Sequence, residues 1–217
     1  MTSRPEWTHR HHEQLRDHWW WRPGWKVGTR FYAWHITVDD QPGLHELVDV
    51  YQAELSGVPG LDLIPRDWLH LTMQGVGFVE DVRPERLEAI RAAARNRLGK
   101  IDPVVAHFER PVVTAEAVIM PPNPLEPFDQ LRTAVRSAIG DVVGPDAVTE
   151  DADGYRPHIS LAYVNAEGPA HLAVQAISQV ESAPAETTIS AVSLIEMHRD
   201  NRMYEWQTVE SVALGKR

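Results

Sequence analysis

Three stretches of the chain pair an imidazole with a hydroxyl two residues later: His35-Ile-Thr37, His70-Leu-Thr72 and His158-Ile-Ser160. With 11 histidines in 217 residues, composition alone accounts for about one such match. All three sit among aliphatic residues that read as strand. In a strand, residues i and i+2 point to the same face. His70 and Thr72 therefore emerge together, with Trp68 and Gln74 beside them, while Leu69, Leu71 and Met73 face the core. His158 and Ser160 share a face with Arg156, while Pro157, Ile159 and Leu161 turn inward. Two imidazoles facing one cleft can cleave a phosphodiester. One takes a proton from the nucleophile and the other gives one to the leaving oxygen, because free imidazole titrates near neutrality. The hydroxyls donate hydrogen bonds to non-bridging phosphate oxygens as charge builds there.

The elements that must hold these groups repeat along the chain. Residues 31–38 read as a strand, Pro42 and Gly43 break it, and Leu44, Leu47, Val48, Tyr51 and Leu55 follow helical spacing. The motif strand over 68–75 follows. A helix then starts near Pro84, with Leu87, Ile90, Ala94 and Leu98 on its apolar face. Strands are predicted over 104–108 and 112–120. The order then recurs: a Pro-rich breaker after Met120, a helix through Phe128, Leu131, Val135 and Ile139, and an acidic loop over 146–154. The second motif strand (157–164), a helix over 172–180 and strands over 188–197 and 204–214 complete it. His70 occupies the place of His158. The expected fold class is α+β: a bilobal, pseudo-twofold duplication with two antiparallel sheets, flanked by helices, around a central cleft. Residues 1–29 read as an irregular Trp/His-rich arm, and 30–217 as one two-lobed domain.

Composition narrows the function classes. The formal net charge of −10 disfavours coating of long nucleic acids, so no DNA partner is expected. A small nucleotide or short RNA in a locally basic cleft remains open. No apolar run is long enough to span a bilayer, and the N-terminus lacks an apolar leader segment, which fits a cytoplasmic location; a monomer is expected. The chain has no cysteine, so disulfides, thiolate metal sites and a Cys nucleophile are excluded. His9, His11, His12 and His18 lack the helical pairing of a zinc hydrolase and read as surface residues, so neither metal nor other cofactor is expected. The Trp19–Trp21 run reads as packing of the arm onto the body.

The segments around the second and third motifs carry a resemblance. His70-Leu-Thr-Met and Pro157-His-Ile-Ser-Leu look like the paired His-x-[Thr/Ser]-x signatures of the two-histidine (2H) phosphoesterase superfamily. Among its branches, the bacterial and archaeal 2′-5′ RNA ligase-like proteins are the most similar. The resemblance spans roughly Phe31 to the C-terminus. It implies a bilobal fold with a central active site, no metal, and action on 2′,3′-cyclic phosphates or 2′-5′ linkages. It also implies His70 and His158 as the acid–base pair, with Thr72 and Ser160 as phosphate donors. Arg156, Trp68, Gln74, His35 and Tyr163 are the candidate substrate contacts. Three features depart from the family pattern: Ser160 stands where Thr is commoner, the arm is extra, and Tyr163 stands where Arg often follows the second motif. Hydrolysis is the leading expectation. The alternatives are a 2′-5′ RNA ligase or RNA-end processing enzyme, and a catalytically weak nucleotide-binding module.

Overall fold

Apolar residues recur every three or four positions in four stretches, and each of these becomes a helix in the computed structural model, which describes residues 5–215. In chain order the elements are β1 (Gln14–Leu15), β2 (Phe31–Thr37), α1 (Pro42–Leu55), β3 (Leu61–Leu63), β4 (His70–Phe78) and α2 (Pro84–Leu98). Then come β5 (Val104–Phe108), β6 (Val112–Val113), β7 (Ala117–Met120), β8 (Pro122–Asn123), α3 (Glu126–Val143) and β9 (Ile159–Val164). The last are β10 (Gly168–Pro169), α4 (His171–Ser178), β11 (Ala185–Ile189), β12 (Ala191–His198) and β13 (Glu205–Ala213). Three of the helices open with proline in the first two positions, where its fixed φ suits the first turn and its missing N–H costs nothing. Helix α3 stops at Gly144, whose φ of 92° few side-chain-bearing residues tolerate.

The α+β reading with antiparallel sheets holds. The main sheet runs β13-β12-β2-β4-β9-β7-β6, with β3 also paired to β9. Strands β4 and β9 share one pair of partners, Leu71 with Ile159. The sheet is therefore two four-stranded halves, β13-β12-β2-β4 and β3-β9-β7-β6, touching at one point. A three-stranded sheet, β11-β5-β8, and the short β1–β10 ladder complete the strands among the described residues.

The repeat runs β2-α1-β4-α2-β5 and then β7-α3-β9-α4-β11. The half-sheets nevertheless cut across the repeat: β2 and β4 join the C-terminal β12 and β13, while β3 joins β9, β7 and β6. Helices α2 and α3 pack on each other and cover β13 and β4, while α1 and α4 pack together over β9, β3 and β6. One core runs through both, with Trp34, Tyr51, Phe108 and Phe128 almost fully buried. Burying such rings is the main stabilising term, at about 25 cal/mol per Å² of apolar surface.

Several expected boundaries shift. The stretch 112–120 is a hairpin, not one strand: Thr114 takes its backbone and hydroxyl hydrogen bonds to Ala117 at 2.8 Å and turns the chain. The stretch 188–197 is split at Ser190 into β11 and β12, which lie in different sheets. Trp68 lies outside the motif strand and closes a 3-10 turn, Arg66–Trp68. Among the described residues, no helix is long and apolar enough to cross a membrane.

Candidate active site

The Leu71–Ile159 pair sets the geometry of everything around it. Both side chains are fully buried on the core face. In an antiparallel pair the positions on either side run oppositely. His70 therefore lies across from Ser160, and Thr72 across from His158. The two motifs meet head to tail about this one bridge, and all four side chains line a single cavity of about 480 Å³.

Each imidazole is braced in the same way. His70 Nδ1 lies 2.9 Å from the Trp68 carbonyl, and His158 Nδ1 lies 2.6 Å from the Arg156 carbonyl. A carbonyl only accepts, so the proton of each neutral ring sits on Nδ1. Nε2 is left as the basic nitrogen of each ring. The expected contact from the Trp68 side chain is replaced by this one from its backbone. The Trp68 ring is not part of the cavity wall and packs edge-on against Trp206 at 4.9 Å.

Beyond the hydroxyls, a bulge in each motif strand breaks the simple alternation. Trp34 pairs with Gln74 and His35 with Thr72, so Met73 is an extra residue on β4. Val118 pairs with Ala162 and Ile119 with Ser160, so Leu161 is the extra residue on β9. The cavity face thus reads His70, Thr72, Gly75 on one strand and His158, Ser160, Tyr163 on the other. Gln74, expected beside Thr72, is turned by the bulge to the core face with Trp34. There it is fully buried, reaching the Thr149 carbonyl at 2.5 Å and accepting from Arg136 at 2.7 Å.

Tyr163 does line the cavity, stacked on His18 with ring centroids 4.3 Å apart. Arg156 lines it too, exposed and within 5.9 Å of the Trp7 ring. His35 is buried in the wall, its ring parallel to His70 within 3° at 4.4 Å, and its Nε2 lies 3.4 Å from Thr72 Oγ1. Its Nδ1 meets no partner among the described residues.

Burial holds these rings neutral. It pushes His70 down to about 4, the Trp68 carbonyl opposing and the nearby His158 adding to the effect. His35 is driven well below the ordinary range by burial and by His70. Burial also lowers His158, opposed by the Arg156 carbonyl and reinforced by the Arg156 charge. Tyr163 is raised by burial and by Tyr204. The charged side chains of the wall are Arg10, Arg22, Arg156 and Arg199 against Glu116 and Glu150. The cavity is therefore net basic in a chain whose net charge is −10. Among the described residues, no three His, Asp or Glu side chains converge as metal ligands would.

A sequence model of the 2′-5′ RNA ligase superfamily matches residues 41–201, which include both motifs. The chain belongs to that superfamily. Among curated protein sequences, no relative matches. Solved structures show the same fold at low identity. TT0787 of Thermus thermophilus is 16% identical over 85% of this chain and 98% of its own, with a TM-score of 0.67. LigT of E. coli, in its complex with 3′-AMP, is 16% identical over 86% of this chain and 98% of its own, with a TM-score of 0.63. ATU0111 of Agrobacterium tumefaciens, a conserved protein of unknown function, covers 83% of this chain at 16% identity and a TM-score of 0.54.

In this superfamily member, several cavity residues carry no signal in their own sequence context. The arm, which lies outside the matched range, brings Trp7, Arg10, His12, His18, Arg22 and Trp25 to the wall. It is laid along the second half-sheet by backbone bonds from His12 to Val113 and from His18 to Val164, both 2.8 Å. Trp19 packs as expected, buried, with its indole N–H on Asp62 at 2.9 Å, whereas Trp20 and Trp21 are exposed. His18, expected at the surface, is instead buried between Tyr163 and Trp19, because the arm folds over β9. Arg199, just past β12, is also buried in the wall. Behind the site, Arg132 donates to the carbonyls of Met73, Ala152 and Asp151 at 3.1, 2.8 and 2.8 Å. Tyr155 donates to the Thr72 carbonyl at 2.9 Å. These two side chains tie the bulge on β4 to the loop that leads into His158.

Proposed function

We propose that this superfamily member is a phosphodiesterase that hydrolyses 2′,3′-cyclic phosphate or 2′-5′ phosphodiester bonds of nucleotides or short RNA ends. His70 and His158 form its acid–base pair. The observation that carries this reading is the matched pair of braced imidazoles, each set across one bridge from the other motif's hydroxyl. Both proton transfers of the reaction then have a side chain of their own.

Burial supports one assignment of the roles. His70 is the more deeply buried and the more firmly neutral, so it is the base. A water gives its proton to His70 Nε2 as its oxygen bonds to phosphorus. His158, half-buried, is the acid. A bound phosphate beside it favours its protonated form. Its Nε2 proton passes to the ribose oxygen as the old phosphorus–oxygen bond breaks. The pair ends with its protons exchanged and resets through solvent. Thr72 and Ser160 hold the non-bridging oxygens, and Arg156 offsets their charge.

The ligand class is supported by cavity size, by its basic wall, and by the complexes of E. coli LigT with 3′-AMP, ATP and NADP+. The chain's net charge of −10 favours short substrates over long RNA. The test is an assay of purified protein, with EDTA present, on the common 2′,3′-cyclic mononucleotides from about pH 4 to 9. Release of a single phosphate isomer, 2′ or 3′, is expected. No turnover of any cyclic nucleotide or 2′-5′ dinucleotide would overturn the reading.

A further inference from the structure

Two guanidiniums of the cavity wall, Arg22 and Arg199, lean on one carboxylate, Glu116, that Arg16 also uses. Arg199 is 4% exposed. It donates from Nη2 to the His18 carbonyl at 3.2 Å, and its Nη1 meets no acceptor among the described residues. Four ring faces also surround it: Trp19 at 5.3 Å, Tyr204 at 5.6 Å, Trp21 at 5.9 Å and Trp25 at 6.0 Å. Rings stabilise a cation but do not cancel its charge. Arg22, only half-buried, lines the same cavity. Its nearest carboxylate is Glu116 at 3.6 Å, which also serves Arg16 and faces His18.

His18 does not add to this charge, because burial, Arg22 and Arg199 push it down to about 3. Burial lowers Arg199, with Tyr204 opposing and the Arg22 charge adding to the effect. A guanidinium this buried is costly unless an anion completes it. The Tyr204 ring lies 6.2 Å from the His70 ring and 5.6 Å from the Arg199 guanidinium. Tyr204 is thus a shared neighbour of His70 and Arg199.

We propose that Arg22 and Arg199 form a second anion subsite, which takes a terminal phosphate monoester of the substrate while the two motifs hold the phosphodiester. Arg22 reaches the phosphate directly, and Arg199 supplies fixed positive charge behind it. The preferred substrate class is then a nucleotide with two phosphates at opposite ends of one ribose: a 2′,3′-cyclic phosphate and a 5′-phosphate. The inference rests on the cavity being a nucleotide site, and it adds the requirement for the second phosphate. It involves residues of the arm and of the β12–β13 turn, and none of the motif residues.

Binding of stable product-like nucleotides tests the subsite without requiring turnover. The probes are adenosine 2′-phosphate and adenosine 2′,5′-bisphosphate, titrated calorimetrically into the full chain at fixed salt. The bisphosphate is expected to bind about tenfold more tightly, the scale of one charge-assisted contact. In Arg22→Gln the ratio of the two affinities is expected to fall to about threefold or less. Arg199→Lys, which keeps charge but loses the planar fork, is expected to lower the ratio less. Thermal melts confirm that each variant is folded. Equal affinity for both probes in the wild type overturns the subsite and leaves the nucleotide site standing. A ratio unchanged in a folded Arg22→Gln also overturns it. Failure of both probes to bind removes the nucleotide site and the subsite together.

Discussion

Leu71 and Ile159 are antiparallel partners, and the two half-sheets meet at this pair alone among the described residues. The head-to-tail arrangement of the motifs follows from that register. Thr72 and Ser160 should then be equivalent: each faces the cavity across from the other motif's histidine. Thr72→Val and Ser160→Ala are each expected to lower kcat by about 100-fold, the effect of removing one donor to developing charge. Steady-state kinetics on a cyclic nucleotide checks this. A large effect from only one of the two would show that the phosphate does not sit astride the bridge.

His35 acts through its neighbours. Its Nδ1 is buried without an acceptor, so its proton belongs on Nε2, which faces Thr72 Oγ1 at 3.4 Å. Thr72 then accepts from His35 and keeps its own proton for the substrate. His35→Phe preserves a ring against His70 but removes that donor. It is expected to reduce kcat by about tenfold. Because the lost contact is not to substrate, KM should move much less. A rise in KM with kcat unchanged would instead make His35 a direct substrate contact.

Arg132 is a strut for both motifs. It spans the Met73 bulge and the carbonyls of Asp151 and Ala152, and stacks over Tyr155 at 4.6 Å. Arg132→Met leaves three carbonyls without their donor and is expected to cost about 3 kcal/mol in stability. Urea denaturation checks the magnitude. Activity should fall as well, since the loop it anchors leads into His158.

Buried histidines make the fold sensitive to acid. The unfolded chain takes up protons on its histidines below about pH 6.5. Folded His70 and His18 resist protonation until about 4 and about 3. Their folded pKa values are depressed, so stability is full above the unfolded value and is lost as pH falls from there towards the folded values. Each such group contributes a slope of up to about 1.4 kcal/mol per pH unit within that window. Melting temperatures from pH 8 to 4 should stay level at first and then fall below about 6.5. His18→Phe should shallow the decline.

Much of this site was legible because strand periodicity is local. The pairing of His70 with Thr72 and of His158 with Ser160 needed only the i, i+2 rule, and the helix faces needed only their apolar spacing. Gln74 was misplaced because a bulge adds a residue that alternation does not count. The signal for it lay in Gly75 and Gly77 inside an otherwise regular strand, where glycine often marks a bulge. Trp68 was misplaced because a 3-10 turn begins at Arg66, directly after Pro65. Arg199 and His18 could not be read at all. Their burial depends on the arm folding across β9 and on β12 returning beside β2, contacts between residues about 180 apart.

The central claim is that His70 and His158 are the acid–base pair, and single substitution of each tests it most directly. The measurement is kcat/KM for a 2′,3′-cyclic nucleotide, from about pH 4 to 9 with EDTA present, in wild type, His70→Ala and His158→Ala. The wild-type profile should rise above about 4, where His70 becomes a base, and fall again as His158, lowered by burial, loses its proton. Each variant should lose about 1,000-fold, and His70→Ala should also lose the acid limb of the profile. Folded variants that keep wild-type rates and an unchanged profile would contradict the assignment.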